Sequence, residues 1–265
     1  MLNEIIQVLR VFKLMLRSLV LTMYSCPSMR IISKKKLIMM LRYKKKHKRC
    51  VILGSGSSVI DTIDYLSRSN VRYDAYTANF GIYLPVVPVL ATLELAADTN
   101  FSENVRSSIL SEGVKRIQEK GSLVIFKNLQ HDRVDRKYVL KNYDLSRVYG
   151  VMDICLNQSF SSDVVRKFVT KKNSFFLVQY INSIYTLVHL AELAGYEEIL
   201  ISGVDGGGKH FYIDNSFGMD EALHRQLVDV LYPDEKTAIG HHAKSIRENL
   251  IDNPVSITSS SIKVM

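Results

Sequence analysis

One stretch decides the fold class: Val51-Ile52-Leu53-Gly54-Ser55-Gly56-Ser57-Ser58-Val59. An apolar run leads into a Gly-x-Gly turn, and the helical pattern of Ile60, Ile63 and Leu66 follows directly. Two glycines let the backbone and the next helix N-terminus approach an anion without side chains in the way. The stretch predicts a nucleotide or phosphate site at the start of an α/β domain. The third glycine of the dinucleotide fingerprint is missing, so other residues must decide the ligand.

Length and composition are those of an ordinary globular protein. The chain has 265 residues, of which 47% are hydrophobic and 23% are charged, and this predicts one main domain with a well-buried core. Its three cysteines are Cys26, Cys50 and Cys155, and none forms a Cys-x-x-Cys pair. This usage indicates a reducing compartment and argues against structural zinc.

The positive charge is concentrated in the first 50 residues. Thirteen Lys and Arg residues and a single acid, Glu4, give that segment a net charge of +12, whereas the remainder carries −3. Arg10, Lys13 and Arg17 fall at helical spacing within an apolar stretch, which is typical of a helix lying in a membrane interface. Two lysine runs flank a second apolar patch at residues 37–41.

We therefore expect residues 1–48 to form a basic amphipathic leader that binds an anionic membrane surface on the cytoplasmic face. A spanning helix is not expected, because no window of about 18 residues is free of charge. The alternative is that the leader packs on the domain or on another chain, so self-association stays open. Nucleic acid is not expected as a partner, because the lysine runs lack interleaved aromatic residues.

Residues 49–265 alternate between strand and helix patterns. Strands are predicted near residues 50–53, 73–77, 86–95, 123–126, 199–201 and 255–257, and helices at about 59–69, 102–119, 163–170, 178–194, 222–231 and 243–250. This order predicts a Rossmann-like, mostly parallel sheet with helices on both faces. Ligands of such sheets bind beyond the carboxyl ends of the strands.

Three groups of polar residues follow predicted strands. Asn79 follows the second strand, where an NAD enzyme usually has an acidic residue for the ribose. Asp98 and Asn100 follow the third apolar segment, and residues 202–212 follow the strand at 199–201. The last segment combines glycines with a cation, an imidazole and a phenol, which suits an anion.

Several short motifs follow one another in order along the chain. They are Gly54-Ser55-Gly56-Ser57-Ser58, Asn79, Ala194-Gly195-Tyr196-Glu197-Glu198-Ile199, Ser202-Gly203-Val204-Asp205 and Ile239-Gly240-His241. In this order they resemble the bacterial sialyltransferases of glycosyltransferase family 42, and they are also similar to related enzymes that add Kdo-type sugars to lipopolysaccharide cores.

The resemblance implies a GT-A-like sialyltransferase variant of the Rossmann-like fold. It implies an inverting, metal-independent transferase that has no cofactor and moves an acidic keto-sugar, of sialic acid or Kdo type, from a CMP-activated donor. The acceptor would be a cell-envelope glycolipid or lipopolysaccharide glycan, reached from the inner face of the bacterial cytoplasmic membrane. His241 would be the catalytic base. The implied nucleotide and donor residues are Gly54, Ser55, Gly56, Ser57, Asn79, Asp98, Asn100, Ser183, Ser202, Gly203, Asp205, Gly207, His210 and Tyr212.

The chain departs from the family at the donor phosphate. Two family tyrosines bind that phosphate, but Gly206 or Gly207 takes the first position here, and only His210 or Tyr212 lies near the second. The amides of residues 206–208 and the Lys209 side chain are chemically suited to replace the missing tyrosine.

The chemistry itself requires a base for the acceptor hydroxyl and stabilisation of the departing phosphate. A histidine with a pKa of about 6.5 suits the first role near neutral pH, and His242 is the alternative beside His241. Two other function classes stay open: an NAD- or S-adenosylmethionine-dependent Rossmann enzyme, and a non-catalytic membrane-associated assembly protein.

Overall fold

The structure of the protein is a computed structural model. It describes residues 2–25, 28–94, 103–127, 129, 143–155, 175–179, 183–204, 211, 217, 219, 221–222, 224–225 and 261–264. The described helices are α1 (Leu2–Ser25), α2 (Lys34–Lys44), α3 (Val59–Arg68), α4 (Glu103–Glu119) and α5 (Ser183–Ala194), with a 3-10 helix at Asn79–Tyr83. The described strands are β1 (Arg30–Ile32), β2 (Arg49–Leu53), β3 (Asp74–Ala78), β4 (Leu90–Glu94), β5 (Leu123–Lys127), β6 (Tyr149–Val151), β7 (Asp153–Cys155), β8 (Leu177–Gln179), β9 (Glu198–Ser202) and β10 (Ser261–Val264).

Eight of these strands form one parallel sheet. Their order is β1-β6-β5-β4-β3-β2-β9-β10, and every neighbouring pair is parallel. From β2 the chain builds outward through β3, β4, β5 and β6, and β9 later returns to the other side of β2. The order of the strands therefore reverses between β2 and β9, which is where ligands of such sheets bind.

Apolar side chains cover both faces of the sheet, with alternate strand residues pointing to opposite sides. Val51 and Leu53 of β2 pack with α3 and α4 in one cluster, whereas Cys50 and Ile52 pack with α2 and α5 in another. The prediction of a mostly parallel sheet with helices on both faces is confirmed.

The predicted leader is divided by the fold. β1 pairs with β6 at one edge of the sheet, and α2 buries Leu37 and Leu41 completely in the core. Ser33 caps α2 by accepting a hydrogen bond from the Lys36 amide at 3.3 Å. Residues 30–44 are therefore part of the α/β domain, and the boundary expected at residue 48 does not separate two structural units.

α1 packs on a second, two-stranded parallel sheet of β7 and β8. Val11 is buried against Ile154 and Val178, and Ser18 Oγ donates to the Asp153 carbonyl at 2.6 Å. Among the described helices, none is both long and apolar enough to cross a membrane.

Candidate nucleotide site

Two glycine turns meet where the strand order reverses. The Gly54 amide donates to the Ser202 carbonyl at 2.8 Å, and the Gly56 amide donates to the Gly203 carbonyl at 2.8 Å. Gly203 has a φ of +74°, in the left-handed region that favours glycine. The turn after β2 and the turn after β9 are thus joined, backbone to backbone, at the carboxyl edge of the sheet.

The close approach explains the glycines. A Cβ on Gly54 would overlap the Gly203 carbonyl oxygen, and a Cβ on Gly203 would lie 2.9 Å from the Gly54 carbonyl carbon. The amides of Gly54 and Gly56 are occupied by the β9 turn rather than open to an anion. Contact between this turn and a ligand stays a prediction. Such contacts would come from Ser55, Ser57 and the start of α3.

The start of α3 is fixed to the same place. Ser58 Oγ accepts a hydrogen bond from the Gly203 amide at 3.3 Å, and Thr62 Oγ1 shares one with Ser202 Oγ at 2.7 Å. Ser202 is buried, so its hydroxyl orients α3 against β9. A helix N-terminus held at this position carries a partial positive charge toward the carboxyl edge.

Phe211 is bonded to the first glycine turn. The Phe211 amide donates to the Ser55 carbonyl at 2.9 Å, and the Phe211 ring is buried in the core with Val59 and Met219. Several predicted residues of the nucleotide and donor site, Asp205, Gly207, His210 and Tyr212, lie outside the described residues, as do Asp98, Asn100 and His241.

Asn79 connects the ends of β3 and β4. It begins the 3-10 helix with a φ of +47°, a left-handed conformation that asparagine tolerates. Its Oδ1 accepts a hydrogen bond from the Glu94 amide at 3.0 Å. Asn79 thus fixes the carboxyl end of β4, and any contact to a ribose stays a prediction.

Glu94, Lys127 and Ser183 form a compact polar cluster beside Asn79. Lys127 Nζ lies 2.5 Å from Glu94 Oε1 and donates to Ser183 Oγ at 2.8 Å. Ser183 Oγ donates in turn to Glu94 Oε1 at 2.8 Å. The Lys127 side chain is 0% exposed and that of Glu94 is 24% exposed. Glu94 and Ser183 are therefore partly exposed, whereas Lys127 lies completely beneath them.

The Ser183 hydroxyl has only one proton, and Glu94 accepts it. In this arrangement Ser183 orients the carboxylate instead of donating to an anion. Two residues further along α5, burial raises the pKa of the Tyr185 hydroxyl to about 12.

Sequence reasoning missed Glu94 and Lys127. Each is the last residue of a strand that is otherwise apolar or uncharged, and the register of β4 and β5 places the two directly opposite each other. The available sequence signal was an opposite charge at the end of each of two successive apolar segments. Of the predicted residues, the structure brings Asn79 and Ser183 to this cluster.

Within the described part of the chain, no group of three or more His, Cys, Asp or Glu side chains is placed to hold a metal ion. A cavity of about 510 Å³ lies at the opposite, amino-terminal edge of the sheet, where Lys48 and Arg49 pair with Glu197 and Glu198. Parallel sheets bind ligands at the carboxyl edge, so we assign the candidate site to the glycine turns and the polar cluster.

No protein-family model and no curated protein matches the sequence. Among solved structures, the chain is similar to the monofunctional alpha-2,3-sialyltransferase Cst-I from Campylobacter jejuni. The two share 11% sequence identity with a TM-score of 0.45, over 83% of this chain and 76% of that chain.

Proposed function

We propose that this protein is an inverting, metal-independent glycosyltransferase. Its donor would be a CMP-activated acidic keto-sugar of sialic acid or Kdo type, and its acceptor a cell-envelope glycolipid or lipopolysaccharide glycan. The proposal joins the sequence resemblance to one structural observation. That observation is the row of turns and polar side chains along the carboxyl edge of β9, β2, β3, β4 and β5.

The row is long enough for a nucleotide and a sugar side by side. Neighbouring strands lie about 4.8 Å apart, so the ends of β2 and β5 are separated by about 14 Å. In the proposal, the nucleotide lies over the Gly54 and Gly203 turns at the strand-order reversal. The sugar then lies over Glu94 and Lys127, at the far end of the row.

The charge of this far end suits an acidic sugar. A lone carboxylate at residue 94 would repel the carboxylate of the ligand, but Lys127 lies within 2.5 Å and neutralises it. The N-terminus of α5, which begins at Ser183, adds a partial positive charge beside the same carboxylate.

The reaction needs one proton acceptor. The acceptor hydroxyl would attack the anomeric carbon as the bond from that carbon to the phosphate oxygen breaks, and the electron pair of that bond would leave with CMP. His241 would take the hydroxyl proton, since an imidazole with a pKa of about 6.5 is largely unprotonated at neutral pH. No redox step is involved.

Ligand-dependent thermal stability tests the nucleotide class. CMP at 100 times its Kd should stabilise the folded protein by about 2.7 kcal/mol, whereas NAD and S-adenosylmethionine should leave the Tm unchanged. CMP release from a panel of CMP-sugars then identifies the donor. Stabilisation by NAD or S-adenosylmethionine alone would reject the proposal in favour of a Rossmann-type enzyme.

The base is assigned by a matched pair of variants. His241→Ala should lower turnover by roughly 10² to 10⁴ while CMP binding survives, and His242→Ala should retain turnover. The reverse result would transfer the role to His242, and failure of both variants and of the wild type to release CMP would favour a non-catalytic protein.

A further inference from the structure

The outer face of α1 carries an exposed apolar stripe. Its members are Ile5, Leu9, Phe12, Leu16, Val20 and Met23, which are 50%, 63%, 66%, 57%, 51% and 63% exposed. Their spacings of three and four residues place them on one side of the helix. At 1.5 Å per residue the stripe is about 27 Å long, which is unusual for a surface that stays in water.

The opposite face of the same helix is attached to the domain. Val11, Ser18 and Thr22 are buried, Val11 packs on β7 and β8, and Ser18 Oγ donates to the Asp153 carbonyl. Because one face of α1 is held by the protein, the stripe has a fixed outward direction. It is a surface of the folded domain and not a loose tail.

The charges along α1 indicate what the stripe meets. Arg10, Lys13 and Arg17 are exposed, and 100° per residue places them together along one edge of the stripe. The described side chains of α1 include no acidic residue. Two copies paired antiparallel through their stripes would bring these cations together with no described acid on α1 to offset them.

We propose that the outer face of α1 lies on a bilayer that contains anionic phospholipids. The stripe enters the boundary between headgroups and acyl chains, and the three cations contact lipid phosphates. The surface is narrower than the leader expected from sequence, because β1 and α2 belong to the domain. This inference is independent of the proposed transferase activity.

Vesicle co-sedimentation of the full chain tests the proposal. The protein should bind vesicles of phosphatidylcholine and phosphatidylglycerol in equal parts, and bind pure phosphatidylcholine far less. Replacing Arg10, Lys13 and Arg17 together by Gln should weaken binding by about 100-fold, since each cation contributes about a factor of five. Added salt should weaken binding of the wild type more than that of this variant.

Phe12→Glu and Tyr65→Glu form a matched pair for the apolar stripe. Both residues are large and exposed, at 66% and 58%, but Tyr65 lies on α3. Phe12→Glu should reduce binding at least tenfold, and Tyr65→Glu should bind as the wild type does. Urea unfolding of each variant confirms that it is folded.

Equal binding by the wild type, Phe12→Glu and the triple Gln variant would overturn the proposal. A stable dimer in the absence of lipid that Phe12→Glu dissociates would also overturn it, because the stripe would then be an interface between two copies.

Discussion

Lys127 Nζ lies 2.5 Å from Glu94 Oε1, and the lysine side chain is completely excluded from solvent. The two residues end neighbouring strands in register, so each holds the other at the carboxyl edge of the sheet. An ammonium group buried in this way depends on its partner, because removing the carboxylate leaves a charge without water or counter-ion.

The first prediction concerns this pair. Lys127→Met and Glu94→Gln should each lower the free energy of unfolding by about 3 kcal/mol, because each leaves one partner of a largely buried pair. The double variant should lose less than the sum of the two, by at least about 1 kcal/mol. Urea unfolding of the four proteins measures this coupling.

An exposed pair is the control for that measurement. Arg68 and Asp64 lie 3.5 Å apart on α3, with side chains 82% and 60% exposed. Arg68→Met should change the free energy of unfolding by less than about 0.5 kcal/mol. Additive effects of Lys127→Met and Glu94→Gln would contradict the coupling inferred from the geometry.

The second prediction concerns the contact between the two glycine turns. Gly54→Ala should cost about 3 kcal/mol, because its methyl group would overlap backbone atoms of Gly203 that cannot move aside. Gly121→Ala is the control, since a Cβ there meets nothing within 4 Å and only its φ of +84° is strained. We expect it to cost about 1 kcal/mol. A loss for Gly54→Ala no larger than that for Gly121→Ala, in thermal or urea unfolding, would contradict the predicted overlap with Gly203.

The third prediction is a loss of stability at alkaline pH. Burial and the nearby Asp74 carboxylate raise the pKa of the Cys50 thiol, and Lys45 only partly opposes them. The folded thiol keeps its proton where the unfolded thiol, with a pKa of about 8.5, loses it. Below that pH the thiol is protonated in both states, and it does not change the free energy of unfolding. Above that pH the free energy of unfolding should fall by up to about 1.4 kcal/mol per pH unit.

Urea titrations between pH 7 and 9.5 measure this slope. Cys50→Ala lacks the titrating group and should show a shallower slope over the same range. Identical slopes for the two proteins would exclude the thiol as the cause.

The fourth prediction concerns Asp74, which is buried at the start of β3. Its Oδ2 accepts hydrogen bonds from the amides of Lys46 and His47 at 2.8 and 3.1 Å, and from the Tyr196 hydroxyl at 2.8 Å. Asp74→Ala leaves three donors without their acceptor and should cost about 3 kcal/mol. Tyr196→Phe removes one donor and should cost about 1 kcal/mol. A smaller loss for Asp74→Ala than for Tyr196→Phe in urea unfolding would show that water replaces the carboxylate.

Sequence reasoning succeeded where hydrophobic periodicity decides the structure. The strands expected at residues 73–77, 123–126 and 199–201 are found within one or two residues, as β3, β5 and β9. It failed where tertiary contacts decide. Val178 was expected in a helix, but it pairs with Ile154 in a small separate sheet, and the strand at Ser261–Val264 was not expected.

The predicted leader is a second case in which tertiary contacts decide the structure. Leu37 and Leu41 between lysine runs suit a membrane surface and a protein core equally well, because both environments take an apolar stripe flanked by cations. The complete burial of both leucines in the core and the pairing of β1 with β6 distinguish the two. Likewise, nothing local to Glu94 or Lys127 reveals that β4 and β5 are neighbours.

The pairing of β2 with β9 sets the order in which the site is assembled. β2 and β9 pair Arg49 with Glu198 and Leu53 with Ser202, and Thr62 bonds to Ser202 across 140 residues of sequence. Contacts of such long range form slowly, since the intervening chain must first be ordered. During synthesis the glycine turn after β2 leaves the ribosome early but acquires its carbonyl partners only after residue 203 has emerged. The first motif of the chain is thus among the last to reach its native hydrogen bonds, and a nascent chain truncated before β9 should lack the joined glycine turns of the candidate site.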